Sequence, residues 1–383
     1  MPRAIVAVGW GTPMLAGCAT AEGTARYRER LGSRADPGHC RLQQGLTISS
    51  IGLGTYLGDS DGETDLQYDQ ATRRSLELGS NVLDTAINYR CQRSERVIGR
   101  TLAALADARV VARDEVVVAT KGGFFPFDGA PPGNMEEYIR DAFIRPGILK
   151  PEEIVAGCHA MTPAYLRHQL AMSLSNLGLE RVDIYYLHNP ETQLQEVPRP
   201  EFLGRIREAF ACLEEEATAG RLTAYGTATW TGYRQPEEAP DYLSVETLIG
   251  IAREVGGEGH HFRAIQLPFN LAMPEALVRR NQPVEGEHLS TLEAAHHFGI
   301  TVMASASVYQ GQLTHRLPDI IDRCLPGLKT DAQRALQFVR STPGITTALV
   351  GMKRVTHVEE NLALAGHAPV SLDDYLKLFQ REE

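Results

Sequence analysis

A (β/α)8 barrel, the α/β fold also called a TIM barrel, is the fold class that the sequence predicts, with an N-terminal β-hairpin ahead of it and long loops at its C-terminal face. Eight short apolar runs alternate with longer amphipathic stretches, and a glycine often closes the stretch before the next run. Apolar runs of this kind are typical of strands covered on both faces, and eight parallel strands suffice to close a barrel. No Gly-x-Gly-x-x-Gly motif follows the first run, which argues against the alternative, an open doubly wound sheet.

The expected elements follow one another in a regular order from residue 40 onward. Strands are predicted at residues 48–55, 81–86, 116–121, 183–188, 224–229, 264–270, 301–305 and 347–351. Amphipathic helices are predicted at residues 64–79, 94–105, 162–177, 202–220, 244–255, 289–298 and 331–340. Thr162 followed by Pro163 is a typical helix start, and Gly79 and Gly178 are typical helix ends.

The residues before the first barrel strand predict a hairpin and an extension. Residues 39–43 and 46–49, on either side of Gly45, indicate a small hairpin that plugs one end of the barrel. No low-complexity linker interrupts the remainder, so we assign residues 39–383 to a single barrel domain. Residues 1–38 are predicted to form an N-terminal extension that is partly disordered.

Localisation rests on a weak signal in that extension. Leu15-Ala16-Gly17-Cys18 resembles a bacterial lipoprotein cleavage site, but glycines and a proline interrupt the apolar run before it. We therefore expect a cytoplasmic protein, and export as a lipoprotein through Cys18 is the minor alternative. Six cysteines without a Cys-x-x-Cys pair also indicate a reducing compartment rather than a disulfide framework.

Charge and composition narrow the class of partner. The net charge of -10 argues against nucleic acid and against an anionic membrane surface. No apolar run approaches the ~18 residues that a membrane span needs. A small molecule is the partner that we expect, and association into a homo-oligomer is left open.

Two long connections interrupt the alternation, after the third and the fourth strand. Residues 122–161 begin with Phe124, Phe125 and Phe127, and residues 189–201 form a shorter loop. Both leave the carboxyl ends of strands, where barrel enzymes build their sites. We expect at least one phenylalanine to face the substrate, and packing of the loop onto the outer helices is the alternative.

Polar side chains stand at the ends of three successive strands, where packing alone would not select them. Asp84 lies in the second strand with Tyr89 just past it, Lys121 ends the third strand, and His188 ends the fourth. Strand ends converge at one mouth of a barrel, so we expect these four side chains to meet. One such residue alone is usually structural, whereas four at successive strand ends favour a catalytic group.

This set suits the reduction of a carbonyl group, in which carbon receives a hydride and oxygen receives a proton. Tyr89 would supply the proton, and Lys121 would lower the pKa of the phenol towards the working pH. Asp84 would hold Lys121 charged and in place. His188 would hydrogen-bond the carbonyl oxygen and orient the substrate.

Around these residues the sequence resembles the aldo-keto reductases, over nearly all of residues 46–365. The similar segments are GLGTYLG (52–58), LDTAINY (83–89), SERVIGRTL (94–102), ATKGG (119–123), LHNPE (187–191), QLPFN (266–270) and VGMKRVTHVEENL (350–362). The resemblance implies a catalytic tetrad of Asp84, Tyr89, Lys121 and His188. It also implies an NAD(P)H-dependent oxidoreductase that reduces an aldehyde or ketone, or oxidises the corresponding alcohol.

The resemblance further implies an extended NADP(H) over the barrel mouth, with NAD(H) the less favoured cofactor. The cofactor-binding positions that it implies are Thr55, Tyr56, Asp84, Thr229 and Gln266 at the nicotinamide end, and Gly351, Lys353, His357, Glu360 and Asn361 at the adenosine end. Independently, Lys353 and Arg354 stand where a strand runs into a helix, which is a reasonable phosphate site. The residues that we expect to contact the substrate are Tyr56, Phe124, Phe125, His188 and Asn189.

Three places depart from the usual pattern of the family. Ala228-Thr229 stands where Ser-Asn usually ends the fifth strand, and Ser305-Ala306-Ser307-Val308 lacks the aromatic residue that stacks on the nicotinamide. Tyr309 or Trp230 is the candidate replacement for that ring. Arg90 follows Tyr89 where the family usually has glycine.

These departures keep a second reading open, a cofactor-binding regulatory subunit of the same fold with little turnover. A third class, a metal-dependent barrel hydrolase, is disfavoured, and we expect no metal. His159, His168 and the His-His pairs at 260–261 and 296–297 do not fall at strand ends beside carboxylates.

Overall fold

Residues 14–379 are described by the structure, which is a computed structural model. Its strands are β1 Cys40–Gln43, β2 Leu46–Ser49, β3 Ile51–Gly54, β4 Val82–Asp84, β5 Val117–Gly122, β6 Val182–His188, β7 Leu222–Ala228, β8 Phe262–Pro268, β9 Gln282–Val284, β10 Glu287–Leu289, β11 Thr301–Ser305 and β12 Thr347–Gly351. Strands β3 to β8, then β11 and β12, run parallel, and β12 pairs with β3 to close the barrel. The predicted fold class is confirmed.

Helices alternate with the barrel strands and cover them from outside. They are α1 Ala21–Leu31, α2 Gly62–Leu78, α3 Arg93–Asp107, α4 Met135–Ile139, α5 Pro163–Leu177, α6 Arg199–Thr218, α7 Val245–Gly256, α8 Glu275–Val278, α9 Thr291–His297, α10 Asp319–Cys324, α11 Asp331–Ser341, α12 Val355–Leu362 and α13 Leu372–Leu376. Gly79 and Gly178 end α2 and α5 with φ of 113° and 61°, a left-handed conformation that glycine adopts without strain.

The first predicted strand, residues 48–55, is divided in the structure. β2 pairs antiparallel with β1 as the predicted hairpin, and the barrel strand begins only at Ile51. Ser50 marks the break, where its backbone N–H donates to the carbonyl of His39 at 2.7 Å. Ile48 of the hairpin is 3% exposed and packs into the barrel interior, so the hairpin plugs that end of the barrel as predicted.

Residues 14–38 of the N-terminal extension pack on the rest of the fold. The backbone N–H of Ala19 donates to the buried Asp183 carboxylate at 2.7 Å, and the Tyr27 hydroxyl of α1 donates to the carbonyl of Leu76 at 2.7 Å. This segment therefore covers the end of the barrel where the strands begin.

The lipoprotein-like signal falls only partly on described residues. Cys18 is half-buried in the covering segment, and most of the apolar run before it, residues 4–13, lies outside the described residues. Between residues 14 and 379 no helix is long and apolar enough to cross a membrane.

The connection at residues 122–161 has a small apolar core of its own. Its buried side chains are Phe125, Ile139, Phe143, Leu149 and Ala160, packed with Tyr165 of α5. Gln169 of α5 holds the start of the connection, accepting from the N–H of Gly123 and donating to the carbonyl of Phe124, both at 2.7 Å. The connection leaves β5 directly beside the mouth of the barrel.

Candidate active site

A buried ion pair forms the floor of the barrel mouth. Nζ of Lys121 donates to both carboxylate oxygens of Asp84, at 2.7 and 2.9 Å, and to the carbonyl of Thr85 at 2.8 Å. Burial lowers the pKa of Lys121, while the charge of Asp84 raises it. Gln266 also donates to Asp84, at 2.8 Å. All three ammonium protons therefore have acceptors, which holds the lysine in one place.

Tyr89 lies above this ion pair, in the turn after β4. The centroid of its ring is 5.0 Å from Nζ of Lys121, 5.1 Å from the ring of Tyr56 and 5.7 Å from the ring of His188. Burial raises the pKa of Tyr89 well above its usual value, and the charge of Asp84 raises it further. The net direction of this shift is opposite to the one expected from Lys121, whose ammonium is already paired with Asp84. The phenol is protonated at neutral pH.

His188 ends β6 on the wall of the same mouth. Burial lowers the pKa of His188 well below its usual value, and the charge of Lys121 acts in the same direction. The imidazole is therefore neutral at pH 7 and keeps one N–H. Its Nδ1 is buried and finds no hydrogen-bond partner among residues 14–379. A neutral imidazole of this kind can donate one hydrogen bond to a carbonyl oxygen.

A single cavity of about 950 Å³ extends from Tyr89 and His188 to the end of β12. The predicted site residues on its wall are Thr55, Tyr56, Asp84, Tyr89, Phe124, His188, Asn189, Thr229, Gln266, Gly351, Lys353, His357, Glu360 and Asn361. Lys121 lies beneath this wall, and Phe125 lies away from it. In the described part of the chain, no cluster of three or more His, Cys, Asp or Glu side chains could hold a metal ion.

The far end of the cavity fits the phosphate and adenine groups of a dinucleotide. Within the described range, the side chains of Lys353 and Arg354 form neither an ion pair nor a hydrogen bond, so two cations face the cavity without carboxylate partners. Oδ1 of Asn361 is buried there without a partner and can accept from an amino group. Phosphate and adenine would satisfy these groups.

The structure separates the phenylalanines of the long connection. The ring of Phe124 lines the cavity, 5.0 Å from the ring of His188. Phe125 is 5% exposed and packs on Phe143 and Tyr165. The structure therefore places Phe125 in the small core of the connection and not on the cavity wall, against the expectation that it contacts the substrate.

The altered nicotinamide region is lined by small side chains. Ser305 and Ala306 face the cavity at the place where the family usually has an aromatic ring. Of the two candidate replacements, Trp230 lines the cavity and is 42% exposed, whereas Tyr309 is absent from its wall. The amide nitrogen of Gln266 donates to Asp84, so its amide oxygen can accept a hydrogen bond from a ligand.

Two residues near the site were not among the predicted site residues. His159, in the long connection, donates from Nε2 to the carbonyl of His188 at 2.8 Å and accepts at Nδ1 from Gln193 at 2.8 Å. Burial lowers the pKa of His159 to about 4, so it is neutral. The second of these residues is Arg90. The signal in the sequence that could have identified it is its place directly after Tyr89, where the family usually has glycine.

Comparisons of sequence identify relatives of this chain. The model of the Aldo/keto reductase family matches residues 50–322. The NADH-specific methylglyoxal reductase of Escherichia coli (strain K12) is 31% identical over 188 residues, which cover 48% of this chain and 49% of that protein, so the match spans about half of that relative's length. An uncharacterized oxidoreductase of Bacillus subtilis (strain 168) is 22% identical over 337 residues, covering 84% of this chain and 88% of that one.

Solved structures share the fold. An aldo/keto reductase from Klebsiella pneumoniae, in complex with NADP and acetate, has a TM-score of 0.58 at 20% identity and covers 90% of this chain and 98% of its own. The glycerol dehydrogenase of Gluconobacter oxydans has a TM-score of 0.61 at 20% identity and covers 90% and 94%. Because the family model spans most of the sequence, the chain belongs to the aldo/keto reductase family of NAD(P)H-dependent oxidoreductases.

Proposed function

We propose that the chain reduces aldehydes or ketones with NADPH, and that Tyr89 donates the proton. The observation that carries this proposal is the position of the protonated Tyr89 phenol between Lys121 and a neutral His188. They share one cavity with Lys353 and Arg354, whose cations suit the 2′-phosphate that distinguishes NADPH from NADH.

Each side chain has a defined part in this reaction. When bound, NADPH would supply the hydride that the carbonyl carbon receives. Tyr89 gives its proton to the carbonyl oxygen, and the ammonium of Lys121 stabilises the phenolate that remains. His188 donates a hydrogen bond to the same oxygen and orients the substrate. Asp84 keeps Lys121 in place through both carboxylate oxygens.

The wall around Tyr89 favours uncharged substrates. The cavity that Tyr89 lines is also lined by Tyr56, Phe124, Asn189 and Trp230, which are three aromatic side chains and one amide. A carboxylate or phosphate brought against these groups would lose water without gaining a cation, which is costly. We therefore infer that the substrate is a neutral carbonyl compound.

Cofactor titration and a carbonyl panel test this proposal together. NADPH and NADH are titrated by fluorescence, and NADPH absorbance is then followed with 4-nitrobenzaldehyde and its charged counterpart 4-carboxybenzaldehyde. We expect NADPH to bind more tightly, and kcat/KM to be at least ~10-fold higher for the neutral aldehyde because the charged one must be desolvated. A protein that consumes no NADPH with any aldehyde or ketone would contradict the proposal.

The cofactor end is tested by Lys353→Ala. Loss of a charge-assisted hydrogen bond to the 2′-phosphate should weaken NADPH binding by about 1.5–3 kcal/mol and leave NADH binding nearly unchanged. Lys150→Ala, at an exposed lysine outside the cavity, is the control and should alter neither dissociation constant. Equal weakening of both cofactors would remove Lys353 from recognition of the phosphate.

A second candidate function is the regulatory subunit with little turnover. Ser305 and Ala306 favour it, since small side chains hold the nicotinamide less firmly than a stacked ring. The same titration separates the two functions, because a regulatory subunit binds NADPH tightly and leaves it unoxidised across the carbonyl panel.

A further inference from the structure

Three successive residues directly after Tyr89 have positive φ, although none of them is glycine. The φ angles of Arg90, Cys91 and Gln92 are 49°, 56° and 68°. Side chains disfavour this left-handed region because Cβ approaches the following carbonyl oxygen. Contacts elsewhere must therefore hold the turn in place.

The guanidinium of Arg90 ties this turn to the loop after β3. Its Nε donates to the carbonyl of Asp59 at 2.8 Å, and Nη2 donates to the carbonyl of Asp61 at 3.2 Å and to the carboxylate of Asp65 at 2.7 Å. It also lies over the ring of Tyr68, 5.3 Å from the centroid. The Arg90 side chain is 1% exposed, so these contacts are shielded from water.

The loop that Arg90 holds also borders the cavity beside Tyr89. The ring of Tyr56, from this loop, packs 5.1 Å from the ring of Tyr89, and Leu57 lines the cavity. The carbonyl of Leu57 accepts from the Tyr68 hydroxyl at 2.7 Å. The Tyr89 hydroxyl itself makes no hydrogen bond to any residue from 14 to 379, so its position depends on the turn and on ring packing.

We propose that Arg90 is a positioning residue, which keeps the Tyr89 turn and the loop at residues 55–61 in one fixed relation and so aims the Tyr89 phenol at the substrate. Arg90 is not part of the cavity wall, so it acts through Tyr89. The inference rests on the proposed function, because the aim of the phenol matters only where Tyr89 donates a proton.

Arg90→Gly is the decisive variant. Glycine adopts a φ of 49° without strain, so the substitution adds no strain at position 90 while the contacts of the side chain to Asp59, Asp61 and Asp65 are lost. Arg90→Lys keeps the charge and part of the reach. Arg93→Ala is the matched control, since Arg93 pairs with the same carboxylate of Asp65 at 2.5 Å and donates to neither loop carbonyl.

Two measurements compare these variants with the wild type. The first is hydrogen–deuterium exchange of residues 55–61 in the protein without cofactor, and the second is steady-state kinetics with NADPH. For Arg90→Gly we expect exchange at least ~5-fold faster and kcat at least ~10-fold lower, with both KM values within about threefold of wild type. Arg90→Lys should recover part of kcat, and Arg93→Ala should stay within about twofold of wild type in both measurements.

Unchanged exchange, or unchanged kcat, in Arg90→Gly overturns the proposal. A merely structural arginine would lower the melting temperature and leave the kcat of the folded protein as it was. A wild-type protein that reduces no carbonyl overturns the proposed function and with it the positioning role. The exchange data still report whether Arg90 holds the loop, so the two failures are distinguishable.

Discussion

Tyr89 shows how burial decides the chemistry of one side chain. The Lys121 ammonium lies close to its ring, but both carboxylate oxygens of Asp84 already accept from that ammonium. Burial therefore dominates and raises the pKa of Tyr89. A phenol that holds its proton at neutral pH is suited to donate it to a carbonyl oxygen.

Tyr89→Phe tests the proton donor directly. Only the hydroxyl is removed, so we expect carbonyl reduction to fall at least ~100-fold, the usual contribution of a general acid, with NADPH affinity nearly unchanged. Single-turnover rates and fluorescence titration measure the two quantities. Tyr27→Phe, which removes a hydroxyl at the closed end of the barrel, is the control and should retain turnover. Wild-type turnover in Tyr89→Phe would remove Tyr89 from the mechanism.

Residues at strand ends could be placed from the sequence, whereas residues that act through loop backbone could not. Asp84, Lys121 and His188 meet because parallel strands deliver their ends to one mouth. Arg90 and His159 instead contact carbonyl groups, whose positions only the folded loops decide. A carbonyl group of the backbone is present at every residue, so no sequence pattern reveals which ones they contact.

The long connection at residues 122–161 is an element that the sequence could likewise predict only in part. Its place beside the mouth followed from the end of the third strand, and the presence of a phenylalanine in the cavity was predicted correctly. The small core around Phe143 and Tyr165 decides which phenylalanine it is. Phe125 packs into that core, and Phe124 lines the cavity. Irregular backbone has no periodicity from which that choice could be inferred.

Paired alanine variants separate the two roles. Phe124→Ala should raise KM and change the ranking of carbonyl substrates, because it removes cavity wall beside His188. Phe125→Ala should lower the free energy of unfolding by about 3–5 kcal/mol, the usual cost of deleting a buried phenylalanine, with the ranking unchanged. Kinetics and urea unfolding of both variants provide the comparison. A changed ranking in Phe125→Ala alone would reverse the assignment.

For the whole molecule, the closed end of the barrel was predictable only in part. Alternating residues around Gly45 identified the hairpin, but the covering segment with α1 was assigned to an extension. Its sequence is short and polar, and isolated helices of that length are marginal in water. The segment is instead stabilised by contacts with the rest of the fold, among them those of Ala19 with Asp183 and of Tyr27 with Leu76.

His39 links the hairpin to the barrel at this closed end. Its Nε2 donates to the carbonyl of Gly79 at 2.8 Å, and its Nδ1 accepts from the Ser50 hydroxyl at 3.2 Å. Burial lowers the pKa of His39 to about 4 from 6.5, and the charge of Arg340 acts in the same direction. The folded protein therefore holds His39 neutral in a pH range where the unfolded chain is protonated.

Stability should consequently fall on acidification. Between pH 6.5 and about 4 the unfolded chain binds one more proton at His39, so the free energy of unfolding decreases by up to about 1.4 kcal/mol per pH unit from this group. His39→Gln removes the contribution, and its deficit relative to wild type should shrink steadily from pH 7 to pH 5 in urea unfolding. His315→Gln, at an exposed histidine, should leave the pH dependence as in wild type. If the deficit of His39→Gln stays constant across this range, His39 is not the group that titrates.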